Sequence, residues 1–189
     1  MRNFLATAAS LALVVAPAFL TPATAKEVQD EVVPFTLEDY FVGKSVARGV
    51  FVSKIAGANR AFDVYLDGQF DGTILTLRED FVFADGEKDR KTWVFEKIAD
   101  NQYRGTREDV VGDTLVTIKD NVARFSYLVE IKRKDKDPIK VRFKDKMILK
   151  EDGLLLNRAR VSKFGLPIAN VQVNFRKGTD IDSVEAPNL

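Results

Sequence analysis

Residues 122–149 read VARFSYLVEIKRKDKDPIKVRFKDKMIL, and their spacing decides the fold class. In the second half, Ile139, Val141, Phe143, Asp145, Met147 and Leu149 fall on odd positions, while Lys140, Arg142, Lys144 and Lys146 fall on even ones. In the first half, Ala123, Phe125, Tyr127, Val129 and Ile131 hold the odd positions. Alternation at period two is the mark of a strand with one face buried and one face wet. The polar stretch Lys134–Pro138 between the halves predicts a hairpin loop. A loop of that length sets Tyr127 opposite Asp145 and Glu130 opposite Arg142, with Tyr127 and Asp145 on one face.

The same alternation recurs on both sides of this hairpin. Strands are predicted near 47–55, 60–67, 72–83, 91–98, 102–109, 113–119, 154–163 and 168–177, in addition to 122–133 and 139–149. Turn signals separate them, among them Gly57-Ala58-Asn59, Asp67-Gly68, Asp85-Gly86, Asp100-Asn101, Asp120-Asn121 and Asp152-Gly153. Short connections between half-buried strands mean an antiparallel meander, and a sheet this large closes on itself or splits in two. The expected fold is all-β, a closed or nearly closed antiparallel barrel of about 8–10 strands. Thr36-Leu37-Glu38-Asp39 reads as a capping box with Asp in place of Glu, so a short helix ending near Gly43 precedes the barrel. The barrel domain is expected over 36–177, with a polar tail at 178–189.

The chain opens on Met1-Arg2-Asn3, an apolar run from Phe4 to Leu20, and Ala23-Thr24-Ala25. A short positive end, an apolar stretch and a small-residue cleavage site are the parts of a secretory signal. Residues 1–25 are therefore read as a signal peptide and 26–35 as a flexible leader, with a periplasmic location expected. The chain has no Cys, so it is expected to be neither a lipoprotein nor disulfide-bonded. Removal of Arg2 takes Lys+Arg from 29 to 28, equal to the 28 Asp+Glu. A balanced chain of this kind does not read as a nucleic-acid binder. It also has no His, which excludes Ser-His-Asp and Cys-His catalysis and His-ligated zinc or haem.

Strand parity places several polar residues on the apolar face. Glu79 shares it with Leu77, Phe81 and Phe83. Asp145 shares it with Phe143 and Met147. Tyr103 aligns with Arg107 and Asp109, and Asn157 aligns with Lys163. A buried carboxylate must be paired, hydrogen-bonded, protonated or wetted. Arg107, Lys163, Tyr127 and Asn157 either satisfy Glu79 and Asp145 as a structural network or line a polar patch in a ligand cavity. Glu79 is expected near Trp93 or Phe95 of the next strand. The outward stripe Lys140, Arg142, Lys144, Lys146 and Lys150 reads either as a solvated strand face or as a contact for an anionic membrane surface.

The ordered set Leu77-x-Glu79-x-Phe81-x-x-x-Asp85-Gly86, Trp93, Tyr103-x-Gly105, Asp109-Val110-x-Gly112, Asp145-x-Met147 and Asn157-x-Ala159-x-x-x-Lys163-Phe164-Gly165 resembles the bacterial domain-of-unknown-function family 3833. The resemblance runs from Tyr40 to Lys177. It implies a lipocalin-type barrel and a shared setting for Glu79, Asp109, Asp145, Asn157 and Lys163. Arg107 and Lys146 depart from the family pattern, which has Ala and Trp there. The family implies no activity. The leading expectation is a periplasmic binder of an apolar small ligand, of the fatty-acid or lipid class. The alternatives are an envelope structural or interaction protein with a filled barrel and, third, a carboxylate-dependent lipid-modifying enzyme. No cofactor or metal is expected, and the reading favours a binding protein over an enzyme. N-terminal sequencing of the exported protein should begin at Lys26-Glu27-Val28; a chain retaining Met1 would contradict the signal-peptide reading.

Overall fold

A computed structural model describes residues 35–187 apart from 134–135. The expected signal peptide, and the leader up to residue 34, lie outside the described residues. A five-residue helix, α1 (Leu37–Phe41), leads into β1 (Gly43–Ser53), β2 (Ala58–Phe70), β3 (Ile74–Phe83), β4 (Lys88–Ala99) and β5 (Gln102–Thr106). Then follow β6 (Thr114–Lys119), β7 (Val122–Arg133), β8 (Lys136–Leu149), β9 (Leu155–Lys163) and β10 (Leu166–Lys177). Each strand pairs antiparallel with the next, and β1 pairs with β10 to close a ten-stranded barrel. Closure uses the period-two pattern directly. In β6, Thr114, Val116 and Ile118 are buried while Leu115, Thr117 and Lys119 face out.

Thr36 caps α1 as predicted, its hydroxyl accepting from the Asp39 amide at 3.1 Å, while the Asp39 carboxylate takes the Thr36 hydroxyl in place of the backbone N–H of a full capping box. Val42 is extended and Gly43 has φ +88°, which stops the helix where the sequence placed its end. Phe35 precedes the cap and packs edge-on against Tyr40 at 6.2 Å, a hydrophobic staple. Phe35 is buried, so it belongs to the core and not to the flexible leader to which 26–35 was assigned.

The helix floors one end of the barrel. Tyr40 Oη donates to the carbonyls of Phe175 (2.9 Å) and Gly153 (3.3 Å). Glu38 receives Lys97 Nζ at 2.7 Å and Tyr103 Oη at 2.5 Å. At the other end of the chain, Ile181–Ser183 form a 3-10 turn against the outer wall. Arg48 holds it through Asp182 (2.7 Å) and the Val184 carbonyl (3.1 Å), and Val184 is fully buried. The expected polar tail is thus docked on β1 and β10 as far as residue 185.

Three local expectations are corrected. The β7–β8 register differs by two residues: Tyr127 faces Phe143, Glu130 faces Lys140, and Phe125 faces Asp145. β8 begins at Lys136, and the ladder shifts by one between Ile131–Ile139 and Arg133–Lys136. The extra residue lies at Asp137–Pro138, where Pro138 has no N–H to give to a ladder and a bulge accommodates it. The freed Asp137 carbonyl accepts both Arg133 Nε and Nη2, at 2.9 and 2.6 Å. A shift of two keeps every side chain on its predicted face.

Second, Asp67-Gly68 is no turn but part of a thirteen-residue strand, and the turn falls at 71–73. Gly68 is where α1 abuts the sheet, since a Cβ there would run into the Phe41 carbonyl oxygen. Third, β5 stops at Thr106 and not at 109. Residues 107–113 leave the sheet and dock on β7, the Val110 amide donating to the Arg107 carbonyl and the Val111 amide to that of Leu128.

Gly68→Ala separates close approach from strand propensity. Inside an ordinary strand, glycine is the weaker residue and alanine would stabilise. Here overpacking against the α1 terminus should cost about 1–3 kcal/mol. Urea unfolding should show a lower midpoint for the variant, and a raised midpoint would overturn the packing argument.

Candidate functional site

The inward faces of the strands enclose a cavity of about 420 Å³, within the usual range of ~300–1,000 Å³ for small-molecule pockets. Leu37 and Phe41 of α1 form its floor, and Arg60, Phe83 and Asp89 stand near its other end. The phenylalanines, numerous enough to plug a barrel, stand on the wall instead. Phe51, Phe62, Phe81, Phe125 and Phe143 line the space without filling it. Two ring ladders stiffen the wall: Trp93 stacks on Phe95 at 5.1 Å, and Tyr127 lies between Phe125 and Phe143, both at 5.5 Å. Trp93 meets Tyr127 edge-on at 5.1 Å, which joins the two ladders.

A polar group sits in this apolar wall. On β8, Asp145 Oδ2 accepts Tyr127 Oη at 3.1 Å and Asn157 Nδ2 at 3.3 Å. The hairpin puts Tyr127 beside Asp145, while β9 supplies Asn157 one step along the neighbouring ladder. From the 107–113 excursion, Arg107 places its guanidinium 4.7 Å from the Trp93 ring and 5.7 Å from the Tyr127 ring. Arg107 is forked onto Asp109 (Nε–Oδ1 2.7 Å, Nη2–Oδ2 3.3 Å), and its Nη1 is 3.8 Å from Glu79 Oε2. Lys91 adds a second cation, 3.0 Å from Asp89 and 3.8 Å from Asp109.

Burial dominates the electrostatics. Loss of water pushes Glu79 up to about 7, against the pull of Arg107 and with the push of Asp109, Glu108 and Asp145. Desolvation likewise pushes Asp145 up to about 6, although Asn157, Tyr127 and Arg107 oppose it. Burial, together with the Asp145 charge, holds the Tyr127 phenol well above its usual range, so it remains a donor.

Of the residues singled out from sequence, Glu79, Trp93, Arg107, Tyr127, Asp145 and Asn157 come together on the cavity wall. Asp109 stands behind Arg107. Tyr103 does not join them: it is fully buried, but its hydroxyl serves Glu38 at the floor. Lys163 does not either. It ends β9, and its ammonium lies 5.3 Å over the ring of Phe164, which is 93% exposed at the β9–β10 turn. Lys91, Asp89 and Arg60 were missed. Asp89 and Lys91 share parity with Trp93, already singled out, and Arg60 shares parity with Phe62, which the structure places on the cavity wall. Lys91 and Arg60 open the strands predicted near 91–98 and 60–67, and Asp89 lies just before the first of these because β4 begins earlier, at Lys88.

The raised carboxyls make stability depend on pH in a definite direction. A carboxyl whose pKa is higher folded than unfolded holds its proton more tightly in the native state. Its contribution is fully present below about pH 4.5 and is lost as pH rises toward the folded value near 7. Glu79→Gln removes that loss. Relative to the parent, the variant should become more stable between about pH 4.5 and 7, by up to about 3 kcal/mol, and level off above. Denaturant midpoints measured across that range check it; a gap independent of pH would show that Glu79 is not desolvated.

Two solved structures share this architecture. Rv2717c from M. tuberculosis superposes with a TM-score of 0.53 at 12% identity, covering 74% of this chain and 93% of that one. The S-type phycobiliprotein lyase CPES from Guillardia theta gives 0.54 at 10% identity, covering 77% and 94%. At these identities the likeness is one of fold, a lipocalin-like barrel. No curated protein matches the chain. A family match runs over residues 16–177, the whole barrel included, and the chain belongs to the family described as Protein of unknown function (DUF3833).

Proposed function

We propose that the protein is an exported, periplasmic carrier that holds an apolar-chain ligand, of the fatty-acid or lipid class, inside its barrel. The observation that carries this reading is the cavity itself, about 420 Å³ walled by aromatic and aliphatic side chains with a few convergent polar groups. A barrel serving as a filled structural block has no use for such a space. One barrel of like shape is a phycobiliprotein lyase, in keeping with work on a small molecule. The compartment rests on the signal-peptide reading of residues 1–25.

The outer wall supports contact with an anionic membrane surface. The stripe Arg142, Lys144 and Lys146 on β8 is widened by Arg124 on β7 and by Arg158 and Arg160 on β9. Lys146 faces both Arg124 and Arg158, and Lys144 faces Arg160. Among the described residues none of these six forms an ion pair, whereas Lys140 of the same stripe pairs with Glu130 at 3.7 Å. Like charges directly opposite each other are destabilising. Edge protection does not account for them, because β8 is flanked on both sides in a closed barrel.

The energetics allow useful affinity. A 16-carbon tail gains on the order of 12 kcal/mol at ~0.8 kcal/mol per buried methylene. Association and chain ordering cost at least about 4 kcal/mol, which leaves roughly micromolar binding at best. Delipidated protein should be titrated with fatty acids, long-chain alcohols and phospholipids by calorimetry. Trp93, the single tryptophan and part of the cavity wall, reports the same event by fluorescence. Micromolar binding is expected, with faster uptake when the ligand is supplied in anionic vesicles than in zwitterionic ones. Absence of any binding below about 100 µM would sink the carrier reading.

A further inference from the structure

The polar patch of the cavity is lopsided in its hydrogen bonding. Three buried acceptors on it receive no hydrogen bond: Glu79 Oε2, which has only the ion pair with Arg107 at 3.8 Å, Asp145 Oδ1 and Asn157 Oδ1. No buried side-chain donor of the patch is in that position among the described residues. Tyr127 Oη and Asn157 Nδ2 both donate to the same oxygen, Asp145 Oδ2, which leaves the other carboxylate oxygen bare. A buried acceptor that receives no hydrogen bond has lost its hydration without replacement, so a wall that carries three is complementary to something that donates.

The cavity's cations are already engaged. Arg107 is forked onto Asp109, ion-paired to Glu79 and seated against the Trp93 ring. Lys91 is held by Asp89 and Asp109. Arg60, near the far end, is spent on Asp85 and Glu87 at 2.9 and 2.5 Å. An incoming carboxylate would have to displace one of these carboxylates and then sit beside Glu79 and Asp145, where like charges repel in a medium of low dielectric.

We propose that the ligand's head carries hydroxyl or amide donors and no negative charge, and that it docks on Glu79, Asp145 and Asn157 while its chain lies along the aromatic wall. This rests on the carrier reading and narrows it, from the lipid class as a whole to uncharged, donor-bearing amphiphiles such as monoacylglycerols or long-chain alcohols and amides. Free fatty acids are the excluded class.

Two probes with the same chain settle the matter, 1-monopalmitoylglycerol and palmitate, each delivered to delipidated full-length protein at pH 8 and read by Trp93 fluorescence and calorimetry. The glycerol ester should bind at least tenfold more tightly than palmitate. In Asp145→Asn and Glu79→Gln the preference should shrink, mainly because palmitate binds better once a carboxylate is gone. Two substitutions are used so that a folding defect in one leaves the other to report, and thermal unfolding identifies such a defect. Palmitate binding as tightly as the ester, or a preference unchanged in both variants, would overturn the head-group assignment and leave the carrier reading standing. Failure of both probes to bind parent protein would remove the carrier reading itself.

Discussion

The ladder between β1 and β10 is the constraint from which the rest of the molecule follows. Strand alternation alone sorts side chains onto two faces and says nothing about which face is enclosed. Pairing Ser45 with Lys177 through to Val52 with Asn170 joins the first strand to the last, and the sheet acquires an interior. A ring of ten strands is wide enough to leave a space inside, and the aromatic rings become its lining. α1 then has only one place to go, across the end where β1 starts. Glu38 is the charged pin there: burial acts to raise its pKa, but hydrogen bonds from Lys97 and Tyr103 outweigh burial and keep it below its ordinary value. The floor and the cavity are thus different devices made from the same materials. At the floor both oxygens of Glu38 receive a donor. In the cavity Glu79 Oε2 and Asp145 Oδ1 receive none.

Most of the architecture was legible because period two is a robust signal when one face is enclosed. Ten strands, their order and the capped helix could be read from alternation, turn residues and the Thr36–Asp39 box. The inward direction of Glu79 and Asp145 came from parity as well, which survives an error of two in register. Other features were not legible, for physical reasons. Register depends on which backbone groups pair, and the bulge at Asp137–Pro138 changes the count without changing the hydrophobic pattern. Gly68 looked like a turn because sequence cannot distinguish a glycine that bends the chain from one that makes room for a helix.

The candidate site shows the same division. Arg107 and Asp109 were assigned by extending the parity of β5, yet they lie off the sheet on an excursion. Their arrival at the wall depends on Val110 and Val111 docking onto β7, a long-range contact. Parity gives direction but not height along the barrel axis. That is why Tyr103 falls at the floor and Lys163 at a strand end, while Lys91 joins Arg107 beside Asp109. Cavity volume was equally hidden, since it depends on barrel width and on which way each ring leans.

The crowded cations of the outer wall carry a consequence for how the barrel responds to electrolyte. An ordinary surface ion pair weakens as ionic strength rises, because mobile ions screen the attraction. Across β7, β8 and β9 the sign is reversed: the neighbours repel, and screening relieves them. With a Debye length of roughly 10 Å at 0.1 M salt, counterions gathered over this wall act as part of the fold. The protein's electrostatic environment is therefore a variable of its stability, and this face of the barrel is most relaxed where negative charge is dense.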